Sequence, residues 1–465
     1  MSYSQSRREK QTVCSNMMTL LLFMFTFMLP IATCGFSIQL IPIDSVILPT
    51  NHTPEERHNL LANISRNRAL NLMSMSAARA MNPKEEFVKG VPNTIQPPIY
   101  RVLSNYYVTR MVIGSRLYTP YLMVDTGSAD TWVQCDGCRN CFPIQGGNFK
   151  YNESTTYKYL PCKNPLCVPK LCDSAGVCLY RNLYSGGSKS EGWVSSDTFL
   201  FSSTNHTSMK LPVAFGCGYD NQNMSFGHND GPSNPIAGIF GLGIGTRSIL
   251  KQLGKETNQR FSYCLPSSRT SRQTHTMISF GEDAQIKGSV QTIQILPAEN
   301  TPAYNVKLLG ISIAGKRLNI DPALFQLKRS TIGGFFIDTG SPYTRLVQGA
   351  YTILRDEMTQ YIMKNYGKRP TRKGFFDLCY GSLGGNVTLP SMTYHFKGAN
   401  LVLNSGAVFE RFGFDLCMAI LPASNAGQNL LGAFQQANHR FLFDVGKKSM
   451  LVKKYTVSFA PEICL

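Results

Sequence analysis

The sequence predicts an all-β protein of two related lobes with few, short helices, and three observations carry that expectation. "YLMVDTGSADTW" (Tyr121 to Trp132) and "GFFIDTGSPYTRL" (Gly334 to Leu346) each bring an apolar strand to the same Asp-Thr-Gly-Ser, placing Asp125 and Asp338 213 positions apart. Each copy is followed by an apolar element that closes on glycine, "IAGIFGLGIG" (Ile236 to Gly245) in one half and "QNLLGAFQQ" (Gln428 to Gln436) in the other. From about Tyr100 onward, runs such as "YYVTRMVIG" and "KLLGISIAG" alternate with Gly, Pro, Asn and Ser, the pattern of short strands and tight turns. A unit repeated within one chain, each copy offering one acid, implies two lobes about a pseudo-twofold axis.

At 465 residues the chain exceeds a single core of ordinary size. Arg7, Arg8 and Lys10 precede the apolar run "MMTLLLFMFTFMLPIA" and then Ala32-Thr33-Cys34, so residues 1–34 read as a cleavable signal peptide. That run is short of the ~20 residues that span a bilayer, and no membrane anchor is expected. Residues 35–90 contain no cysteine and few aromatics. "TPEER" supplies an N-cap Thr53, Pro54 at the first helical position and acids in the first turn, so a helix is expected from about Thr53 to Ala80. This is the composition of a removable propeptide. Residues 100–282 are expected to form the N-terminal lobe with Asp125, and 283–465 the C-terminal lobe with Asp338. Helical patterns occur at Gly349–Tyr366 and Arg247–Gly254.

Of 14 cysteines, Cys14 and Cys34 fall in the signal, and the even dozen that remains implies a disulfide framework in a secreted chain. Sequons at Asn51, Asn63, Asn152, Asn205, Asn223 and Asn386 agree with that route, to the apoplast or the vacuole. "CDGCRNC" has zinc-ligand spacing but lacks neighbouring histidines; disulfides are expected there, and no metal or cofactor. The net charge is +18; the first 90 residues hold nine Lys/Arg against six Asp/Glu, so the remainder carries +15. Such a surface attracts polyanions, which outside a cell makes acidic wall polysaccharide a candidate partner and nucleic acid none. A monomer is expected. Serine-hydrolase and zinc-peptidase signatures, G-x-S-x-G and H-E-x-x-H, do not occur.

An acid at the end of an apolar strand is costly unless donors stabilise it, and Thr hydroxyls and Gly amides can supply them at close range. Two lobes meeting at an axis could bring Asp125 and Asp338 together. Neighbouring carboxylates cannot both ionise easily, so they share a proton and titrate as a pair, one as base and one as acid. Such a pair can activate a water against a peptide carbonyl and protonate the leaving nitrogen.

At these residues the chain resembles the pepsin-like aspartic proteases, and among them the plant nepenthesin-type, constitutive-disease-resistance-type branch, over nearly all of its length from Gly35. "VDTGSADTW" is similar to the first catalytic loop and "FIDTGS" to the second, and "YSGGSKSEG" resembles the flap turn. Further similarity lies in "GFSIQLIPIDS", "FGCGYDNQN", "RFSYCL", "FDLCY" and "LLGAFQQAN". The resemblance implies a zymogen of an endopeptidase acting on protein or peptide substrates and restrained by its own propeptide. Asp125 and Asp338 would be catalytic, Tyr184 would close over substrate, and Trp132 would stand behind it. Thr126 and Thr339 would interlock beneath the pair, with Gly127, Ser128, Gly340 and Ser341 completing the substrate-facing loops and Gly241 and Gly432 under them. The implied disulfides are Cys135–Cys138, Cys141–Cys217, Cys162–Cys178, Cys167–Cys172, Cys264–Cys464 and Cys379–Cys417. The flap departs from the family, Tyr-Ser-Gly-Gly-Ser replacing Tyr-Gly-Asp-Gly-Ser, and Ala237 stands where Asp is frequent. Arg181 and Lys189 flank Tyr184, an arrangement that predicts tolerance of acidic residues in the outer subsites. The same fold also resembles inhibitors of glycan-degrading enzymes whose acids have decayed; here both acid loops are whole.

Overall fold

A computed structural model describes the backbone of residues 36–42 and 99–101 and most of 107–464. Residues 169–170, 185–187, 203–207, 225, 227–233, 268–275, 297–300, 329–331, 382–387, 424–426 and 447–454 lie outside the described residues, as do the signal peptide, the Thr53–Ala80 segment, Asn51, Asn63, Asn205 and Asn386. Asn152 and Asn223 are exposed.

The sequence repeat becomes a repeat of strand pairing. In the first half, Tyr121–Asp125 runs parallel to Ile236–Gly241, with Asp125 opposite Gly241. Ile236–Gly241 then pairs antiparallel with Trp132–Gln134, which runs parallel to the end of the long strand Ser208–Gln222. In the second half, Phe335–Ile337 runs parallel to Asn429–Leu431, antiparallel to which lies Thr344–Val347, itself parallel to Ile420–Ala423. Leu122, Met123, Val124, Phe335, Phe336 and Ile337 are all buried, which is why both acid-bearing strands are unbroken apolar runs instead of alternating ones.

A sheet shared by both halves lies between them, in the order Gln291–Gln294, Thr456–Pro461, His439–Asp444, Arg260–Cys264, Thr276–Phe280, Phe36–Pro42. Its centre is aromatic: Phe261 from the first half stacks on Phe443 from the second with ring centroids 4.7 Å apart and planes within 4°. Phe36–Pro42 was not anticipated as structure. Its first five residues pair with Thr276–Phe280 and its last two with Tyr107 and Val108. The start of the expected propeptide is therefore a strand of the fold.

Helix Gln348–Tyr366 follows the second acid loop through Thr344–Val347 and buries Ala350, Tyr351, Leu354, Met358 and Ile362, one face at helical spacing. Gly367 ends it in the left-handed region at φ 62°, with its amide on the Met363 carbonyl. The Arg247–Gly254 pattern is instead two single turns, Ile249–Gln252 and Gly254–Thr257, with Leu253 between them out of helical geometry at φ −101° and ψ 37°.

Four of the six disulfides differ from those the resemblance implied. Cys135 pairs with Cys217 and Cys138 with Cys141; Cys162 pairs with Cys172 and Cys167 with Cys178. The parallel pairing of Trp132–Gln134 with residues 216–218 sets Cys217 beside Cys135, Cα atoms 5.4 Å apart, which leaves Cys138 and Cys141 to close their own short loop. Cys172 faces Cys178 across a β-bridge, and each takes its partner from the preceding turns, so the two links cross in sequence. Cys264–Cys464 and Cys379–Cys417 are also formed.

Candidate active site

Asp125 and Asp338 are both fully buried at the ends of their strands, and each carboxylate receives the same two donors. Asp125 Oδ1 accepts from the Gly127 amide at 2.8 Å and Oδ2 accepts a short bond from Ser128 Oγ. Asp338 Oδ1 accepts from the Gly340 amide at 3.0 Å and Oδ2 from Ser341 Oγ at 2.6 Å. The four residues expected to face substrate thus serve the acids first, offsetting the cost of burying charge.

Thr126 and Thr339 clamp the two loops to each other. The Thr126 amide donates to Thr339 Oγ1 at 3.1 Å, and the Thr339 amide donates to Thr126 Oγ1 at 3.0 Å. Each hydroxyl in turn donates across the axis, Thr126 Oγ1 to the Ile337 carbonyl and Thr339 Oγ1 to the Val124 carbonyl, both at 3.0 Å. Because each acid directly precedes its threonine, this four-bond exchange fixes the acids as neighbours.

A glycine supports each loop because nothing larger fits. A Cβ on Gly241 would stand 2.6 Å from the Asp130 carbonyl oxygen, and one on Gly432 would stand 2.3 Å from the Tyr343 carbonyl carbon. The whole run from Gly241 to Gly245 is a cradle: the Leu242 amide donates to the Asp125 carbonyl and the Gly243 amide to the Ser128 carbonyl, each at 2.8 Å.

The wall beyond the acids is aromatic. Trp132, Phe142, Tyr184, Met224 and Phe226 join Tyr343, Phe376, Leu421 and Phe434 in one apolar cluster. Tyr184 sits at the end of the ribbon formed by Leu179–Leu183 and Lys189–Ser202, and its hydroxyl accepts from Trp132 Nε1 at 2.6 Å. Burial, and then the charge of Asp125, pushes its phenol well above the ordinary value, so it stays neutral. The altered flap residues 185–187 lie outside the described residues.

Arg181 and Lys189 do not stand ready for a ligand. Arg181 pairs closely with Glu191, and Lys189 reaches Glu191 at 2.7 Å and Asp220 at 3.0 Å. Burial raises the pKa of Asp220, but donors from Asn140, Lys189, Arg139 and Gln222 outweigh it and hold the carboxyl well below the usual range. Arg181 and Lys189 thus already have acidic partners, Glu191 and Asp220, with Arg139 sharing the latter, which weakens the expected attraction for acidic residues.

Two buried polar links near the acid loops were not anticipated. Arg247 grips Asp130 with two bonds, and Tyr343 donates to Glu410 at 2.6 Å. Asp130 and Tyr343 each lie five residues beyond an acid, so the duplicated register marked those positions, but their partners come from elsewhere in the chain.

Family models described as xylanase inhibitor N-terminal and xylanase inhibitor C-terminal match residues 107–282 and 303–454. The chain is 32% identical over 371 residues to aspartyl protease family protein 2 of Arabidopsis thaliana, covering 78% of this chain and 71% of that protein. It is 30% identical over 377 residues to the aspartic proteinase nepenthesin-2 of Nepenthes gracilis, covering 80% of each. The crystal structure of edgp matches in fold, with a TM-score of 0.63 at 17% identity over 82% of this chain and 97% of that one. Basic 7S globulin from soybean does so with a TM-score of 0.59 at 18% identity, over 76% of this chain and 92% of that one. With two acid loops built alike and relatives of this kind over most of its length, the chain belongs to the pepsin-like (A1) aspartic protease family, in its plant nepenthesin-type branch.

Proposed function

We propose that the protein is a secreted aspartic endopeptidase, made as a zymogen, with Asp125 and Asp338 as its catalytic pair. The observation that carries this reading is the threonine exchange, which joins two identically supported acids. With one acid ionised and one protonated, the ionised member takes a proton from a water as its oxygen attacks the peptide carbonyl. The protonated member gives its proton to the carbonyl oxygen, forming a tetrahedral diol. Collapse of the diol returns a proton to the leaving nitrogen and breaks the C–N bond. Tyr184 and the aromatic wall would exclude water and hold apolar side chains beside the scissile bond. Secretion to the apoplast or vacuole, glycosylation and inhibition by residues 35–90 complete the reading, and acidic wall polysaccharide remains the partner suggested by the charge.

A second reading, a binding protein on the same fold, draws on the similarity to xylanase inhibitors. The two complete acid loops favour the enzyme. The test is hydrolysis of a peptide library by the purified, acidified protein with and without pepstatin, beside Asp338→Asn. Turnover that pepstatin blocks and that Asp338→Asn loses while still folded is expected. Near-normal turnover in Asp338→Asn would overturn the two-acid mechanism. A chain beginning at Gly35 that is fully active at neutral pH on first mixing would overturn the latency.

A further inference from the structure

We infer that Arg247 is a positioning residue through which the cysteine-rich segment 162–178 braces the first acid loop. This rests on the protease reading for its effect on turnover, but the brace itself is geometric. Arg247 Nε donates to Asp130 Oδ1 at 3.1 Å and Nη2 to Oδ2 at 2.6 Å, a two-point grip on a carboxylate five residues beyond Asp125. Both side chains are less than a tenth exposed, so the pair is little screened by solvent. The third nitrogen, Nη1, donates to the Leu166 carbonyl at 3.3 Å. Leu166 lies between Cys162 and Cys167, and its side chain and that of Cys167 pack against the cluster containing Trp132 and Tyr184.

Three elements distant in sequence therefore meet at one guanidinium: the acid loop, the cysteine-rich segment and the end of the glycine cradle. The cradle closes from beneath, since a Cβ on Gly245 would stand 2.5 Å from the Ala129 Cβ. The matching position in the second half is Tyr343, which donates to Glu410. The arrangement is asymmetric where the fold is symmetric, and it sits on the side that carries the cysteine-rich segment and the Tyr184 ribbon. A planar, five-donor guanidinium suits this junction because it can hold a carboxylate with two bonds and a carbonyl with a third, which an ammonium on a flexible stem does with less fixed geometry. The crossed links Cys162–Cys172 and Cys167–Cys178 hold the segment that presents the Leu166 carbonyl.

The experiment compares the full chain with Arg247→Lys, Arg247→Gln, Cys162→Ser/Cys172→Ser and the combination of the last two. Amide hydrogen exchange across residues 126–131, melting temperature, kcat and KM on a fluorogenic peptide are measured at a temperature well below every melting transition. Both Arg247 variants should exchange faster in residues 126–131 and lose about 10- to 100-fold in kcat with KM within about twofold, as expected for misplaced catalytic groups. Arg247→Lys keeps the charge and serves if Arg247→Gln does not fold. Losses in kcat should be less than additive when the released Cys162–Cys172 link is combined with Arg247→Gln, because both act through Leu166. Unchanged exchange in residues 126–131 overturns the brace, and fully additive losses overturn the part assigned to the cysteine-rich segment. A parent protein without turnover overturns the protease reading instead, and the exchange measurement then decides the brace alone.

Discussion

Replacing Thr126 by Val preserves the outline of the side chain and removes only the hydroxyl. That hydroxyl donates to the Ile337 carbonyl and accepts from the Thr339 amide, each at 3.0 Å, in a site closed to water. Val therefore deprives one buried carbonyl and one buried amide of these partners. At about 1–3 kcal/mol for each orphaned group, the cost is about 2–6 kcal/mol. Thr339→Val should cost the same within about 1 kcal/mol, because its two bonds, at 3.1 and 3.0 Å, mirror the first pair. Thr126→Ser is the control: it keeps the hydroxyl and gives up one methyl, for about 1 kcal/mol. Urea unfolding of the parent and the three variants provides the comparison. A Thr126→Val protein within about 1 kcal/mol of the parent, or a Thr126→Ser protein as unstable as Thr126→Val, would refute the view that these four bonds hold the acids together.

Gly241→Ala is expected to destabilise by about 1–3 kcal/mol or more, because its Cβ meets backbone that cannot turn aside. Gly254→Ala, whose nearest neighbour is the flexible Gln259 side chain at 3.6 Å, should be neutral or slightly stabilising in the same urea unfolding. For Asp220 the sign follows from its depressed pKa: the stabilisation it gives is complete above the ordinary Asp value of about 3.9 and disappears only as pH falls through the lower folded value. Asp220→Asn should therefore melt below the parent at pH 5–7, with the gap closing in strong acid; a gap that widens on acidification would contradict the assignment.

The fold was legible in the sequence wherever it rests on short-range rules. Two buried strands ending in Asp-Thr-Gly-Ser, and the glycines that lie under them, show as apolar runs and small residues. Helix Gln348–Tyr366 shows by its spacing. What could not be read depends on where distant segments meet. The partner of Cys135 is decided by a parallel pairing with a strand some eighty residues later, and no local spacing encodes that choice. The cations beside Tyr184 look free in sequence because Asp220, which pairs with Lys189, arrives from the adjoining strand Ser208–Gln222. Strand Phe36–Pro42 was hidden for the same reason: its edge partner, Thr276–Phe280, lies some 240 residues away.

The shared sheet also dictates an order of events during synthesis. Arg260–Cys264 leaves the ribosome midway through translation, yet its neighbour His439–Asp444 and the disulfide partner of Cys264, Cys464, come at the end of the chain. Until then the first half carries an apolar strand with one edge open, a template for pairing with other chains. A nascent chain of this protein is thus most exposed to aggregation during its last two hundred residues. A transcript that stops anywhere in that interval should yield a product bound by chaperones and degraded, not a working half.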